Sequence, residues 1–182
     1  MVRVYLSLGS NLGDRPALLK SAVARMRAIE AVRFVDASRL YEAEPWEEEP
    51  SQALRERRWY LNCVVALDTD LGPRELLDQL RSIETALGRT RPAGTPEAGR
   101  FAPRTLDIDI LFYGDRVISV PDDLHIPHLL LHERTFVLLP LAELAPGLEH
   151  PTYYRTIHQL LEDVEDEHRV GPGAYPPRWF ED

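Results

Sequence analysis

Apolar and polar residues alternate along residues 2–8, and this period of two predicts a β-strand with one buried face. The same alternation over residues 60–67 and 105–113 predicts two more strands, and we expect residues 32–42 to form another. On the strand at 105–113, Asp107 and Asp109 would lie on one face, opposite the apolar residues Leu106, Ile108, Ile110 and Phe112.

Apolar residues three and four positions apart predict the helices. The first follows Asp14, a helix-capping residue, and the second begins at Pro73 and ends at Gly88. A third covers residues 132–144, with Phe136, Leu139 and Leu144 facing inward, and a short fourth lies near 156–164. The order β-α-β-β-α-β-β-α-α predicts an α+β fold, a ferredoxin-like α/β sandwich with helices packed on a mostly antiparallel sheet.

The chain has 182 residues, a length that suits one domain, and we expect residues 1–182 to form it. A proline-rich tail, about residues 165–182, is expected to be extended. Two long polar stretches, residues 43–58 and 89–104, carry no apolar periodicity. Long loops in a compact domain are often functional, so both are expected to serve a site.

The formal net charge is −9, the opposite of what a nucleic-acid or anionic-membrane binder usually carries. We therefore expect no nucleic acid and no membrane as partner, and a partner with negative charge would have to be met at a local site. Cys63 is the one cysteine, which precludes an intrachain disulfide and is typical of a reducing compartment. Since the sequence shows neither a signal peptide nor an apolar run of about 18–20 residues, we expect a cytoplasmic protein. We also expect a monomer.

Asp107 and Asp109 alternate along their predicted strand, which places both carboxylates on one side, about 6.6 Å apart. Neighbouring like charges raise each other's pKa, and a divalent cation relieves that repulsion. Oxygen ligands favour magnesium, and two carboxylates with substrate phosphates make a typical magnesium site, with room for two ions. Taken alone, such a D-x-D pattern is more often a solvated strand face, so the neighbouring residues decide.

Residues 81–104 contain five arginines and two glutamates, a net charge of +3 within an acidic chain. The arginines are Arg81, Arg89, Arg91, Arg100 and Arg104. Guanidinium groups bind phosphate oxygens bidentately, so arginines beside paired carboxylates suit a metal–polyphosphate complex. Surface ion pairing is the alternative, and it is strongest for Arg81, which has acidic neighbours on its own predicted helix.

The run from Arg100 to Leu111, RFAPRTLDIDIL, closely resembles the signature of the 6-hydroxymethyl-7,8-dihydropterin pyrophosphokinases of folate biosynthesis. The opening YLSLGSNLGD, the strand YLN at 60–62 and the segments 83–91 and 126–136 are similar to that family as well. The resemblance implies a ferredoxin-like fold, in agreement with the prediction above. It also implies transfer of pyrophosphate from ATP to the pterin hydroxymethyl group, giving AMP, with two Mg²⁺ ions and ATP as co-substrate.

Carried over by position, the resemblance assigns Asp107 and Asp109 to the metal ions and adds Arg89 and Arg104 to the catalytic residues. It places on the ATP side Arg81, Glu84, Arg89, Arg91, Arg104, Ile110 and His128. It places on the pterin side Ala43, Glu44, Trp46, Tyr60, Asn62, Phe101, Arg134 and Phe136. The pterin would stack between Phe101 and Phe136, since a flat heteroaromatic ring favours aromatic faces.

The chain departs from the family pattern where a Thr-Pro-Pro run is common, since it has Ala43, Glu44 and Pro45 there. Two other functions remain open from the residues alone: a two-metal phosphohydrolase using the same aspartates, and a non-enzymatic regulatory module of the same fold. A zinc site is a weaker alternative, because zinc prefers closed N/S ligation with matched geometry. Its ligands would be His125, His128 and His132.

Overall fold

The computed structural model describes residues 1–45, 59–89 and 105–181. Its strands are β1 (Val2–Ser10), β2 (Val32–Ala37), β3 (Tyr41–Ala43), β4 (Tyr60–Thr69), β5 (Asp107–Tyr113), β6 (Ile118–Val120), β7 (Leu124–Ile126) and β8 (Val170–Pro172). Its helices are α1 (Arg15–Arg27), α2 (Pro73–Ala86), α3 (Thr135–Leu144) and α4 (Ile157–Asp163), and a 3-10 turn covers Leu131–Glu133. Across these ranges, each helix is too short or too polar to cross a membrane.

The main sheet is antiparallel, and its strands are ordered β5-β1-β4-β3-β8, with β2 also paired to β4. The long strand β4 pairs with β1 along its whole length. On its other side, β4 pairs with β2 at one end and with β3 at the other. Strands β6 and β7 form a separate hairpin. This order confirms the predicted ferredoxin-like arrangement.

Local signals set the ends of the first two helices. Asp14 accepts a hydrogen bond from the Ala17 amide at 3.2 Å and so caps α1. Helix α2 begins at Pro73, and the chain leaves it through Gly88, whose φ of +88° costs a glycine little. Both predicted helices are therefore confirmed with their boundaries.

The sheet separates two apolar cores. Helices α1 and α2 cover one face, where they pack on alternate residues of β1 and β4. Helices α3 and α4 cover the opposite face, where Val137, Leu138 and Leu141 pack with Val64 and Phe112. The protein thus has three layers, and each sheet face buries its apolar residues against helices.

Two strand predictions are wrong in detail. Residues 32–42 form two strands rather than one, because the Ser38 hydroxyl takes the place of a backbone acceptor for the Val64 amide, at 2.9 Å. Phe112 faces α3 and not the core that holds Ile110, because the register between β1 and β5 shifts at Tyr5 and Leu6. A β-bulge of this kind turns the following side chain to the other face.

The predicted inward face of the third helix is also wrong in part. The residues most buried in α3 are Val137, Leu138, Pro140 and Leu141. Phe136 and Leu144 are only partly buried against the same core, and Leu139 lies outside it. The reason is that α3 packs against both the sheet and α4, so its buried stripe follows two neighbours instead of one.

The C-terminal tail is part of the fold. Strand β8 pairs with β3 at the edge of the sheet. Farther on, Trp179 and Phe180 are buried in the core beneath α1 and α2. The Trp179 indole donates a hydrogen bond to the Ser38 carbonyl at 2.9 Å. Two aromatic anchors, rather than any periodic pattern, therefore hold the tail.

Candidate active site

Asp107 and Asp109 lie on β5 and are both half-buried. Their register partners on β1 are Gly9 and Ser7. Because alternate residues of a strand share a face, both carboxylates stand on the face that α3 and α4 cover farther along the sheet. The predicted placement of the two aspartates on one strand face is confirmed.

Arg89 connects the end of α2 to Asp107. Its Nη1 contacts both Glu84 Oε1 and Asp107 Oδ1. The same Glu84 oxygen accepts a hydrogen bond from the Ile108 amide at 2.8 Å. Since the Glu84 side chain is only 2% exposed and that of Arg89 is 15% exposed, the glutamate orients the guanidinium and also anchors the start of β5.

Asn62 and Asp107 stand two strands apart with Gly9 between them, since Gly9 is the register partner of both. At a strand spacing of about 4.8 Å, their backbones are roughly 10 Å apart across a residue without a side chain. A Cβ on Gly9 would lie 2.8 Å from Asn62 Oδ1. The Asn62 amide therefore lies over Gly9, an approach that only a residue without a side chain allows, and the row Asp107–Gly9–Asn62 forms a polar strip across three strands.

The Asn62 amide is buried, with 3% of the residue exposed. Its Nδ2 has no hydrogen-bond partner within residues 1–45, 59–89 and 105–181. Buried polar atoms in native proteins nearly always have a partner, so an unsatisfied donor calls for an explanation. A ligand acceptor beside Asn62 would supply one.

Arg134 and Phe136 flank the beginning of α3. The Arg134 guanidinium carbon lies 5.7 Å from the centroid of the Phe136 ring. Phe136 is half-buried against the core beneath α3 and α4. Tyr60, at the start of β4 and opposite Ala43, is likewise half-buried. These aromatic side chains thus remain partly accessible, as a stacking surface requires.

His128 follows the β6–β7 hairpin and is tied to β5, because its amide donates to the Leu111 carbonyl at 3.1 Å. Its Nδ1 accepts a hydrogen bond from the Leu130 amide at 3.3 Å, which leaves the proton on Nε2. Burial, and next the charge of Arg134, lower the pKa of His128 to about 4, while Asp107 opposes that shift. At neutral pH the imidazole is therefore neutral and presents Nε2–H as a donor.

Arg81 on α2 pairs with the turn of the hairpin. Its Nη2 lies 3.3 Å from Asp123 Oδ1. Asp123 also contacts Arg74, so one carboxylate joins two arginines of the same helix. Arg81 is thus ion-paired, but to a carboxylate of the hairpin that precedes His128 and not to one of the acidic neighbours expected on its own helix.

Three other predicted site residues are buried within the protein, and four lie outside the described residues. Ile110 is 4% exposed in the core beneath α1 and α2, so a nucleotide could contact only its backbone on the edge strand β5. Ala43 is buried. Glu44 is buried too, and its carboxylate accepts a hydrogen bond from the Arg169 amide at 3.1 Å. Trp46, Arg91, Phe101 and Arg104 lie outside the described residues. So do both long polar loops, except for residues 43–45 of the first and residue 89 of the second.

The donor chemistry at β5 fits a hard divalent cation. Asp107 and Asp109 offer carboxylate oxygens on one face, which magnesium prefers. Asp107 also contacts the Arg89 guanidinium, so a bound cation and Arg89 would share the charge of that carboxylate. In the described part of the chain, no three His, Cys, Asp or Glu side chains group into a metal site, and the zinc alternative gains no support from it.

Gly9 is the site residue that the sequence reasoning did not single out. Its signal is present in the sequence, because a glycine inside an alternating strand often marks a close backbone approach. The strip offers a carboxylate paired with Arg89 at one end and the Asn62 amide at the other. Such an arrangement suits a polyphosphate and a flat polar ring bound side by side.

Comparison with known proteins agrees with this chemistry. A family model described as 7,8-dihydro-6-hydroxymethylpterin-pyrophosphokinase (HPPK) matches residues 5–146. The 2-amino-4-hydroxy-6-hydroxymethyldihydropteridine pyrophosphokinase of Methylorubrum extorquens is 43% identical over 148 residues, 81% of this chain and 85% of that protein. The Bacillus subtilis protein of the same name is 39% identical over 145 residues, 80% of this chain and 79% of that protein.

Longer proteins match as well. Folic acid synthesis protein FOL1 of Dictyostelium discoideum is 39% identical over 173 residues, 93% of this chain but 24% of that protein. The structure of Plasmodium falciparum HPPK-DHPS with pterin and p-hydroxybenzoate superposes with a TM-score of 0.65 at 18% identity, covering 88% of this chain and 42% of that one. This chain thus spans less than half of these longer proteins. At such identity the structural likeness shows the fold.

Proposed function

The chain belongs to the 7,8-dihydro-6-hydroxymethylpterin-pyrophosphokinase family. We propose that Asp107 and Asp109 would hold magnesium beside the transferred phosphates, that Arg89 binds those phosphates, and that Asn62 and Phe136 bind the pterin. The reaction moves pyrophosphate from ATP to the hydroxymethyl group of 6-hydroxymethyl-7,8-dihydropterin in folate biosynthesis. ATP is the co-substrate, and neither the phosphohydrolase nor the regulatory module is supported.

The row Asp107–Gly9–Asn62 is the observation that carries this division of roles. Arg89 supplies positive charge for phosphates, Asp107 supplies a carboxylate for the metal, and Asn62 supplies a buried donor for a polar ring. Gly9, which has no side chain, lets the Asn62 amide lie over β1 between the two. The distance across the row, roughly 10 Å, suits a reacting hydroxyl held between the ring and the phosphates.

In the chemical step, the hydroxymethyl oxygen forms a bond to the β-phosphorus of ATP. The bond from that phosphorus to the AMP oxygen breaks, and the hydroxyl proton is released. The protein's task in such a transfer is mainly positioning and charge stabilisation. An arginine has five donors, so Arg89 keeps donors for phosphate oxygens while it contacts Glu84 and Asp107.

Asp107 and Asp109 would hold Mg²⁺, two ions as the family resemblance implies. When bound, magnesium would neutralise phosphate charge at the transferred group. His128, neutral and carrying its proton on Nε2, would donate a hydrogen bond to the nucleotide. Arg81 would contribute charge from α2, where Asp123 holds it.

The remaining assignments rest on the sequence resemblance. They place Arg104 on the ATP phosphates, Arg91 on the nucleotide side, and Trp46 and Phe101 on the pterin. We also propose that residues 1–182 act as one domain and as a monomer in the cytoplasm, with no nucleic-acid or membrane partner. The net charge of −9 supports the absence of a nucleic-acid or membrane partner, and a single free cysteine fits a reducing compartment.

The decisive experiment measures AMP formation from ATP and hydroxymethyl-dihydropterin in the presence of magnesium. Asp107→Asn and Asp109→Asn each remove a carboxylate while keeping side-chain size. We expect each variant to lose at least about a hundredfold in kcat, comparable with the loss of a group that stabilises transition-state charge. Asp115→Asn is the matched control, because Asp115 is an exposed carboxylate in the turn after β5.

Wild-type AMP formation by either strand variant would contradict the metal assignment. The pterin side is tested separately with Phe136→Ala, which should raise the KM for the pterin and leave that for ATP nearly unchanged. Phosphate or ADP release that needs no pterin would instead indicate a hydrolase.

A further inference from the structure

The segment 166–172 passes the start of α3, which the proposed function assigns to pterin binding, and the end of β3, which the family resemblance places on the pterin side. It begins beside the first turn of α3, which carries Phe136, and ends as β8 against β3. This segment lies beyond residues 5–146, the part of the chain that matches the family. Its contacts are therefore a property of this chain that the family match does not describe.

Asp166 is the first contact. Its side chain is 2% exposed. One carboxylate oxygen, Oδ2, accepts a hydrogen bond from the Thr135 amide at 2.9 Å. The other, Oδ1, accepts from the His168 amide at 3.0 Å and lies 2.6 Å from His168 Nδ1.

Thr135 is the first residue of α3, and Arg134, which precedes it, makes no capping hydrogen bond with its own side chain. The first turn of α3 also contains no acidic residue. Free amides and the positive end of the dipole make a helix start favourable for a carboxylate. Asp166 thus serves α3 as a capping residue supplied from 31 positions away.

The same segment then holds the end of β3. The Glu44 amide donates to the Arg169 carbonyl at 3.0 Å, and the Arg169 amide donates back to Glu44 Oε2 at 3.1 Å. His168 and Arg169 are adjacent, so the hydrogen bonds at α3 and at β3 are linked through two residues of backbone. Two parts of the pterin side that are far apart in sequence are thereby joined.

We propose that Asp166 is a positioning residue for pterin binding, which fixes the start of α3, and so Phe136 and Arg134, relative to β3. This proposal rests on the proposed function, because it needs Phe136 to contact the pterin. Asp166 touches no substrate in this scheme. Its effect passes through the Thr135 amide, and the ATP side on β5 and α2 does not depend on it.

The test compares Asp166→Asn with Glu167→Gln. Both changes remove one carboxylate charge, and Glu167 is exposed one residue away. KM and kcat are measured for the pterin at saturating ATP and for ATP at saturating pterin. We expect Asp166→Asn to raise the pterin KM about five- to thirtyfold and the ATP KM less than twofold. Glu167→Gln should leave both KM values unchanged.

A second variant covers the case in which Asp166→Asn folds poorly. Thr135→Pro removes the donor amide itself, and proline is well tolerated at the first position of a helix. Arg134 has φ −122° and ψ 103°, a conformation compatible with a following proline. This variant should raise the pterin KM in the same direction while the ATP KM stays near the wild-type value.

Equal increases in both KM values, or an unchanged pterin KM in Asp166→Asn and Thr135→Pro, would overturn the positioning role. Phe136→Ala separates that result from a failure of the proposed function. If Phe136→Ala raises the pterin KM and the Asp166 and Thr135 variants do not, only the positioning role is wrong. If Phe136→Ala has no effect, the pterin assignment is wrong and the positioning role with it.

Discussion

Buried polar side chains with distant partners shape this site. Glu84 is the clearest case, because the family resemblance places it on the ATP side while the structure shows its carboxylate engaged with Arg89 and the Ile108 amide. Asn62 is the opposite case, since its Nδ2 has no partner in the described part of the chain. Glu84 binds groups of the protein itself, whereas Asn62 has a donor that a ligand can use.

Gly9→Ala adds one methyl group and tests whether pterin binding needs the Asn62 amide to lie over residue 9. The added Cβ would lie 2.8 Å from Asn62 Oδ1, so the Asn62 amide has to move. Losing one hydrogen bond to the pterin is worth roughly 1–1.5 kcal/mol, and we therefore expect a pterin KM about tenfold higher. Steady-state kinetics with varied pterin measures it.

Gly147→Ala is the matched control, because a Cβ at that position meets no atom within 4 Å. It should leave both KM values at the wild-type level. A Gly9→Ala protein with wild-type pterin KM would show that Asn62 does not need its present position for binding.

Among the secondary-structure elements, β4 and the C-terminal segment have the widest influence. Strand β4 pairs with β1, β2 and β3, so it places Asn62 opposite Gly9 and Tyr60 opposite Ala43. The C-terminal segment adds β8 to the edge of the sheet, and its Trp179 and Phe180 pack in the core beneath α1 and α2. Elements far apart in sequence are thereby held around one site.

Trp179→Ala tests how much the tail stabilises the fold. Trp179 is 8% exposed and its indole donates to the Ser38 carbonyl. Removing a buried tryptophan typically costs about 3–5 kcal/mol, so we expect the free energy of unfolding to fall by that amount. Urea denaturation followed by circular dichroism measures the change.

Tyr154→Ala is the comparison, because Tyr154 is 77% exposed. It should change the free energy of unfolding by less than about 0.5 kcal/mol. If Trp179→Ala cost no more than Tyr154→Ala, the tail would not be part of the cooperative unit.

For the whole molecule, the free energy of unfolding depends on pH through a buried histidine as well as through carboxylates. His150 is 4% exposed, and its Nδ1 accepts hydrogen bonds from the Thr152 and Tyr153 amides at 3.2 and 3.4 Å. Burial, and next the charge of His132, lower the pKa of His150 from 6.5 to about 4. The folded protein therefore favours the neutral imidazole.

This shift predicts the pH dependence of folding. Below pH 6.5 the unfolded chain binds a proton at residue 150 that the folded protein accepts only near pH 4. The contribution of His150 to the free energy of unfolding is therefore fully present above pH 6.5, and it is lost progressively as the pH falls toward 4. We expect His150→Gln to show a smaller loss of unfolding free energy over that interval than the wild type, measured by denaturation at a series of pH values.

His158→Gln provides the control, because the His158 side chain is 63% exposed. Its stability should fall with pH as that of the wild type does, since the carboxylates that also titrate there are unchanged. Identical slopes for His150→Gln and wild type would refute the contribution of His150.

Much of the fold was predictable because its signals are local. Alternation along 2–8 and 60–67 predicts β1 and β4, and Asp14 and Gly88 mark helix ends. The face of Phe112 was not predictable, because a β-bulge depends on the partner strand. The tail was missed because its anchors are two aromatic residues without a period.

The sequence by itself determined the chemistry of the site: two aspartates alternating on a strand, nearby arginines, and a long motif that resembles one family. Only the tertiary structure decided which groups hold those residues. Glu84 reaches Arg89 and Ile108, and Asp166 reaches Thr135, through contacts that no spacing reveals. The reason is physical: periodicity reports which face of an element is buried, whereas a partner is chosen by how the elements pack in three dimensions.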